Sequence, residues 1–289
     1  MTIKRFQILF FIFFIIGTSL YGTTINKTLY INRGLLTTVD TKQLPYFAFN
    51  ASSQYVSQSE VIKLNVNDVL ILKVINTDTV IHGFDVKKYA KINTTINAKD
   101  SIIDTLQFTS EGVFIYYDSY QNPKYRYMGG AGMITVFNTT QDKKFYWELK
   151  EHQSSYNNLL NENKKVDWST YTPDYFTING YSFPETGSDT TAWVYAHIGD
   201  TVHIFIANTG QSAHSIHIHG FHGKTIFSST GKETGQVKDT FPIKSMESII
   251  VELVPDKEGF YSVHDHNLLA ITAAGIYQRG MLILMRFVK

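Results

Sequence analysis

The chain contains no cysteine. That absence excludes disulfides, thiolate zinc sites, cysteine nucleophiles and any blue copper centre, which needs a thiolate. Charge is scarce as well. Lys and Arg number 26 against 25 Asp and Glu, leaving a net charge of +1. No nucleic-acid partner is expected from so balanced a surface. Long apolar runs are missing after residue 16. The run Phe6 to Ile16 is shorter than the ~20 residues a spanning helix needs. It follows Lys4 and Arg5 and precedes Gly17, Thr18 and Ser19, so Met1 to Gly22 reads as a secretory signal. An uncleaved anchor is the alternative. The expected location is periplasmic or secreted. Sequons at Asn26, Asn50, Asn93 and Asn138 matter only in a eukaryotic secretory pathway.

Histidine is present where it can count. Four of the ten histidines fall in Ala213 to Gly223: His214, His217, His219 and His222. His264 and His266 follow in Y-S-V-H-D-H-N. Neutral imidazole is a common metal ligand, and ligands often come from separate strands. Side chains alternate faces along a strand, so His217 and His219 share one face, as do His264 and His266. His214 and Asp265 fall on the other. The spacing predicts a principal metal site of His217, His219, His264 and His266, with His214 belonging to a neighbouring site. A histidine-rich strand without metal is the plain alternative. His152, His197 and His203 lie outside both clusters and are expected on the surface or along strands.

The remaining chain reads as β structure. Aromatic content is 14%, which suits sheets. Short alternating runs recur between turns: 61–65, 69–76, 82–86, 101–108, 112–117 and 132–137, then 145–149, 176–178, 192–197, 201–208, 248–253, 259–263 and 280–287. Residues 151–173 are polar and read as a long loop with one helical turn. Two internal matches imply duplication. Asn67-Asp68-Val69 through Asn76 parallels Gly199-Asp200-Thr201 through Asn208, each followed by a short loop and a histidine. Glu111 to Tyr116 parallels Glu258 to Val263. The expectation is all-β: a signal peptide over 1–22, one sandwich over 23–140 and a second, with the metal site, over 141–289.

These motifs resemble the cupredoxin family, in particular multicopper oxidases and two-domain copper nitrite reductases. His214-Ser-Ile-His217-Ile-His219-Gly220 is similar to the multicopper oxidase pattern H-x-x-H-x-H-G. There the first histidine serves type 1 copper and the others serve the type 2 and type 3 coppers. His264-Asp265-His266 stands where that family has H-C-H. His266-Asn267-Leu268 also resembles a nitrite reductase segment whose histidine reaches type 2 copper across a trimer interface. On that alignment His217 falls on a histidine that assists proton transfer. Departures accompany the likeness. Asp265 replaces the cysteine, and Ala270 stands where a second type 1 histidine is expected. In the first half His82 keeps the type 1 position and Asp85 that of the catalytic aspartate. Lys87, Tyr117 and Asp118 replace ligands, and Tyr125 stands near a missing one. Met133 reads as core, and Lys87 with Asp85 as a charge pair.

The resemblance implies two tandem Greek-key cupredoxin-like sandwiches and an extracytoplasmic copper protein without blue copper. Redox activity on a small molecule, oxygen or nitrite, is its finer expectation, with electrons from a separate donor protein. Zinc is the other metal the ligand type allows. A metal-free scaffold and a divergent oxidase or nitrite reductase are the alternatives. A homo-oligomer, a trimer by the family's pattern, is expected. Each vacated type 1 site is expected to hold an imidazole–carboxylate contact, His82 with Asp118 and His214 with Asp265, because a buried aspartate needs a partner.

Overall fold

The computed structural model describes residues 22–89, 94–139 and 142–289. The expected signal segment, apart from Gly22, and the sequon at Asn93 lie outside the described residues.

Among the described residues, strands rich in Val, Ile, Leu and aromatics build four sheets, two in each half of the chain. In the first half, Gln43–Asn50, Thr24–Thr37, Val69–Asn76 and Ser101–Gln107 lie side by side. The facing sheet runs Val61–Leu64, Ala131–Val136, Gly112–Tyr117, His82–Val86 and Thr94–Ile96. Leu29, Phe49, Leu72, Phe84, Tyr116 and Ile134 fill the space between them. The second half repeats the plan. One sheet is Tyr175–Ile178, Lys143–His152, Val202–Asn208, Ser248–Leu253, Gly223–Ser228 and Val237–Lys238. Its partner is Val194–His197, Leu282–Val288, Gly259–Asp265, His214–Ile218 and Thr240–Ile243. Trp147, Ile204, Ile216, Phe241, Ile283 and Phe287 pack between them. Burying a side chain of this size contributes roughly 1.5–3 kcal/mol.

A third apolar cluster joins the halves through Val113, Ile115, Met133, Tyr146, Phe205 and Ile250. Met133 is therefore core, as its sequence context suggested. A buried cation adds to the junction. Arg126, on the short helix Lys124–Tyr127, donates to the carbonyls of Thr209 and Gly210 and to Gln211 Oε1.

Three readings of the sequence change. The strand Lys143–His152 runs into the expected loop, and Ser154–Asn161 forms a helix that buries Tyr156 and Leu160. Its polar composition hid the apolar stripe. Thr24–Thr37 and Gln43–Asn50 form a paired edge that their mixed composition did not announce. Lys87 and Asp85 do not pair. Lys87 Nζ reaches the carbonyl of Met246, and Asp85 accepts from the Tyr117 hydroxyl at 3.1 Å.

Candidate metal centre

The strand pairing puts His217 directly opposite His264. Period-two alternation then brings His219 and His266 to the same face. The ring centroids of His217 lie 4.7 Å from His219, 5.7 Å from His264 and 5.4 Å from His266. His219 and His264 approach to 2.9 Å between their Nε2 atoms. The face is open: His219 and His266 are exposed, and His217 and His264 are half-buried. Among the described residues no three such donors yet converge on one point. His222 is exposed on the following turn and stands apart from these contacts.

Neighbours set the tautomers. His264 Nδ1 lies 2.8 Å from the carbonyl oxygen of Asp265. A carbonyl only accepts, so Nδ1 carries the proton and Nε2 offers a lone pair to the cluster. His217 Nδ1 lies 2.9 Å from the Thr240 hydroxyl. Burial, and then the charge of the other histidines, pulls the His217 pKa below its ordinary value and favours the neutral ligand form.

His214 belongs to a different arrangement behind the same strand. Its Nδ1 lies 2.5 Å from Asp265 Oδ2, and its Nε2 lies 3.0 Å from Glu151 Oε2. All three side chains are buried. Burial disfavours charge on His214, but the bonds to Asp265 and Glu151 outweigh it and raise its pKa to about 9. Burial likewise opposes ionisation of Glu151, yet His214 and the N–H groups of Ser212 and Gln211 bring it down to about 2. Both ring nitrogens are thus engaged, and His214 has no lone pair free for a metal.

The first half holds the same arrangement. His82 Nδ1 lies 2.5 Å from Asp118 Oδ2, and Nε2 lies 3.1 Å from Asp78 Oδ2. The aspartate–imidazole contact expected in each half is present. The second carboxylate on each ring was not foreseen. The frames match closely. Asn76 Nδ2 donates to the carbonyls of Val80 and Ile96, and Asn208 Nδ2 to those of Ser212 and Ile243. The histidine follows each asparagine by six residues. The parallel registers Ile31 to Asn76 and Leu149 to Asn208 make Arg33 and Glu151 equivalent. Asp78 and Gly210 then correspond too. In the first half the loop supplies the carboxylate and Arg33 clamps it, with Nε 3.0 Å from Asp78 Oδ2. In the second, the strand supplies it. A Cβ on Gly210 would stand 2.0 Å from Glu151 Oε2, so glycine leaves the room.

Two other histidines lie on strands, one of the two placements expected, and both are buried there. His203 sits between Asp142 and Glu252, at 3.1 and 3.2 Å. His152 packs edge-on to Tyr46 and Tyr127, and burial followed by Lys150 pushes its pKa down to about 3. His197 remains exposed.

Residues 148–280 match the family model described as multicopper oxidase. The match falls within the second sandwich. It spans both histidine segments. The whole fold is also that of known copper proteins. A blue copper oxidase from Nitrosomonas europaea superposes with a TM-score of 0.77 at 21% identity, covering 91% of this chain and 86% of that one. A copper nitrite reductase from Nitrosomonas europaea gives 0.73 at 18% identity, with 92% and 95% covered. A laccase from Botrytis aclada gives 0.72 at 14% identity, with 92% and 53% covered. No curated protein matches by sequence. The cupredoxin-like architecture read from the sequence is the one observed.

Two places in this chain can be tested for their fit to copper. At the His82 and His214 positions the donors do not fit it, since carboxylates take both nitrogens of each ring and no thiolate exists. On the open face of the second sandwich, four imidazoles free of carboxylate hydrogen bonds do fit in their chemistry.

Proposed function

We propose that the protein is an extracytoplasmic copper-binding protein whose metal rests on His217, His219, His264 and His266. The carrying observation is the gathering of four imidazoles on one face, with the Nδ1 proton of His264 fixed by the Asp265 carbonyl so that Nε2 is left for metal. The family match over this domain favours copper over zinc. Bound copper would supply one-electron chemistry toward a small molecule such as oxygen or nitrite, with electrons from an external donor. The chain's own part is to hold the ligand nitrogens unprotonated, to anchor His217 through Thr240, and to leave the face open to substrate.

A homo-oligomer is part of this reading. Leu268, Leu269, Ile276 and Tyr277 are 67%, 66%, 55% and 62% exposed, and the first two follow His266 closely in the chain. So much exposed apolar surface beside a site is typical of an interface. Secretion rests on the leader-like Met1 to Gly22.

Copper content of protein from its native compartment, under a competing chelator, tests the assignment. Wild type should retain copper, and the His266→Ala and His264→Ala proteins should retain it at least ~10-fold more weakly. His222→Ala should leave retention unchanged. Equal retention in all four refutes the site. Turnover of oxygen and nitrite with an artificial donor then tests the redox activity.

A further inference from the structure

A second site lies away from the histidines, in a cleft between the two sandwiches. Its volume is about 570 Å³, within the usual range for small-molecule pockets. Tyr146 and Glu148, two residues apart on the strand Lys143–His152, contribute to its lining from the second half, and Lys27, Glu60 and Lys63 from the first.

The polar groups here are held but incompletely used. Glu148 is only 8% exposed. Lys150 Nζ at 3.0 Å and the Thr209 hydroxyl at 2.7 Å both engage its Oε1. Asn179 fixes its backbone, accepting from the Glu148 N–H at 2.7 Å and donating its own N–H to the Glu148 carbonyl at 2.8 Å. Among the described residues nothing donates to Glu148 Oε2. Lys63 Nζ lies 4.3 Å from the Tyr146 ring centroid, and no described carboxylate comes within ion-pair distance of it. The Tyr146 hydroxyl likewise has no partner among the described residues. Burial raises its pKa to about 12, so it remains a hydrogen-bond donor at neutral pH.

A braced carboxylate with one free oxygen, an unpaired ammonium and a free phenol therefore share one cleft. Among the described residues Lys63 has no carboxylate partner and Glu148 has one oxygen unused, and a ligand bearing both opposite charges would engage both. A simple anion would meet Glu60 and Glu148, and a simple cation would meet Lys27 and Lys63. The geometry points to a binding site for a small zwitterion, an amino acid or short peptide, with its ammonium on Glu148 and its carboxylate on Lys63. Tyr146 donates to the bound molecule between them.

Calorimetry with alanyl-alanine, N-acetyl-alanyl-alanine and alanyl-alanine amide tests this on the protein as purified. Copper content is measured before and after, because dipeptides also chelate metal. The zwitterion should bind, and each blocked form should bind at least about tenfold more weakly, or ~1.4 kcal/mol. Lys63→Met should remove the penalty for the amide and Glu148→Gln that for the acetyl form. Lys63 is not in the buried core, so its variant carries the test even if Glu148→Gln folds poorly. No binding of the zwitterion at millimolar concentration overturns the assignment, as do equal affinities for all three ligands or a Lys63→Met protein that still rejects the amide. Copper retention should be the same in Lys63→Met and wild type, so failure here leaves the histidine site standing.

Discussion

Replacing His214 by Gln should show what its buried imidazolium contributes. The ring is held between Asp265 and Glu151, both buried. Without it, two carboxylates would face each other across a small cavity. Breaking a buried ion pair from one side typically costs ~3–5 kcal/mol. The pH dependence makes the test specific. The pKa of His214 is raised in the folded protein to about 9 from an ordinary 6.5. A raised folded pKa gives stability that is fully present below 6.5 and lost as pH rises through about 9. The gap corresponds to on the order of 3 kcal/mol. Urea unfolding of wild type and variant should therefore differ by ~3–5 kcal/mol at neutral pH. Above pH 9 the difference should shrink, because wild type gives up the proton that the variant never had. An equal deficit on both sides of that pH would refute the buried imidazolium.

Other outcomes follow from the same structure. Gly210→Ala should destabilise by ~1–3 kcal/mol, since the added carbon must displace the Glu151 carboxylate; unfolding midpoints check this. Copper-loaded protein should show no intense thiolate-to-copper absorption, because the sequence has no cysteine. Light scattering should report an oligomer, and Leu268→Asp with Leu269→Asp should dissociate it while leaving the fold intact by circular dichroism.

Much of the fold was legible because period-two alternation and turns mark strands well. The histidine face was legible for the same reason, since H-x-H on a strand fixes which rings share a side. The second carboxylates were not. Glu151 lies sixty-three residues before His214, and only the parallel pairing of Lys143–His152 with Val202–Asn208 brings that part of the chain alongside. Asp78 was close in sequence to His82, but nothing local told whether it turned inward. The sequence allowed His152 and His203 to be strand residues but did not reveal their burial, because histidine is ambiguous by type. One packs as a neutral ring among tyrosines, the other as a flanked base, and their burial comes from strands distant in sequence. The helix Ser154–Asn161 was hidden by asparagine and serine, which favour turns unless packing overrides them.

The correspondence of Arg33 with Glu151, and of Asp78 with Gly210, bears on whether the two halves remain interchangeable parts. A chimera that transplants residues 76–82 into 208–214 would set Asp78 against Glu151, with no arginine to divide them. The reverse graft would bring Gly210 to a strand that carries Arg33, leaving His82 beside a guanidinium. Either transfer succeeds only if the strand residue travels with the loop. The halves share one plan, but the different source of the second carboxylate keys each loop to its own strand.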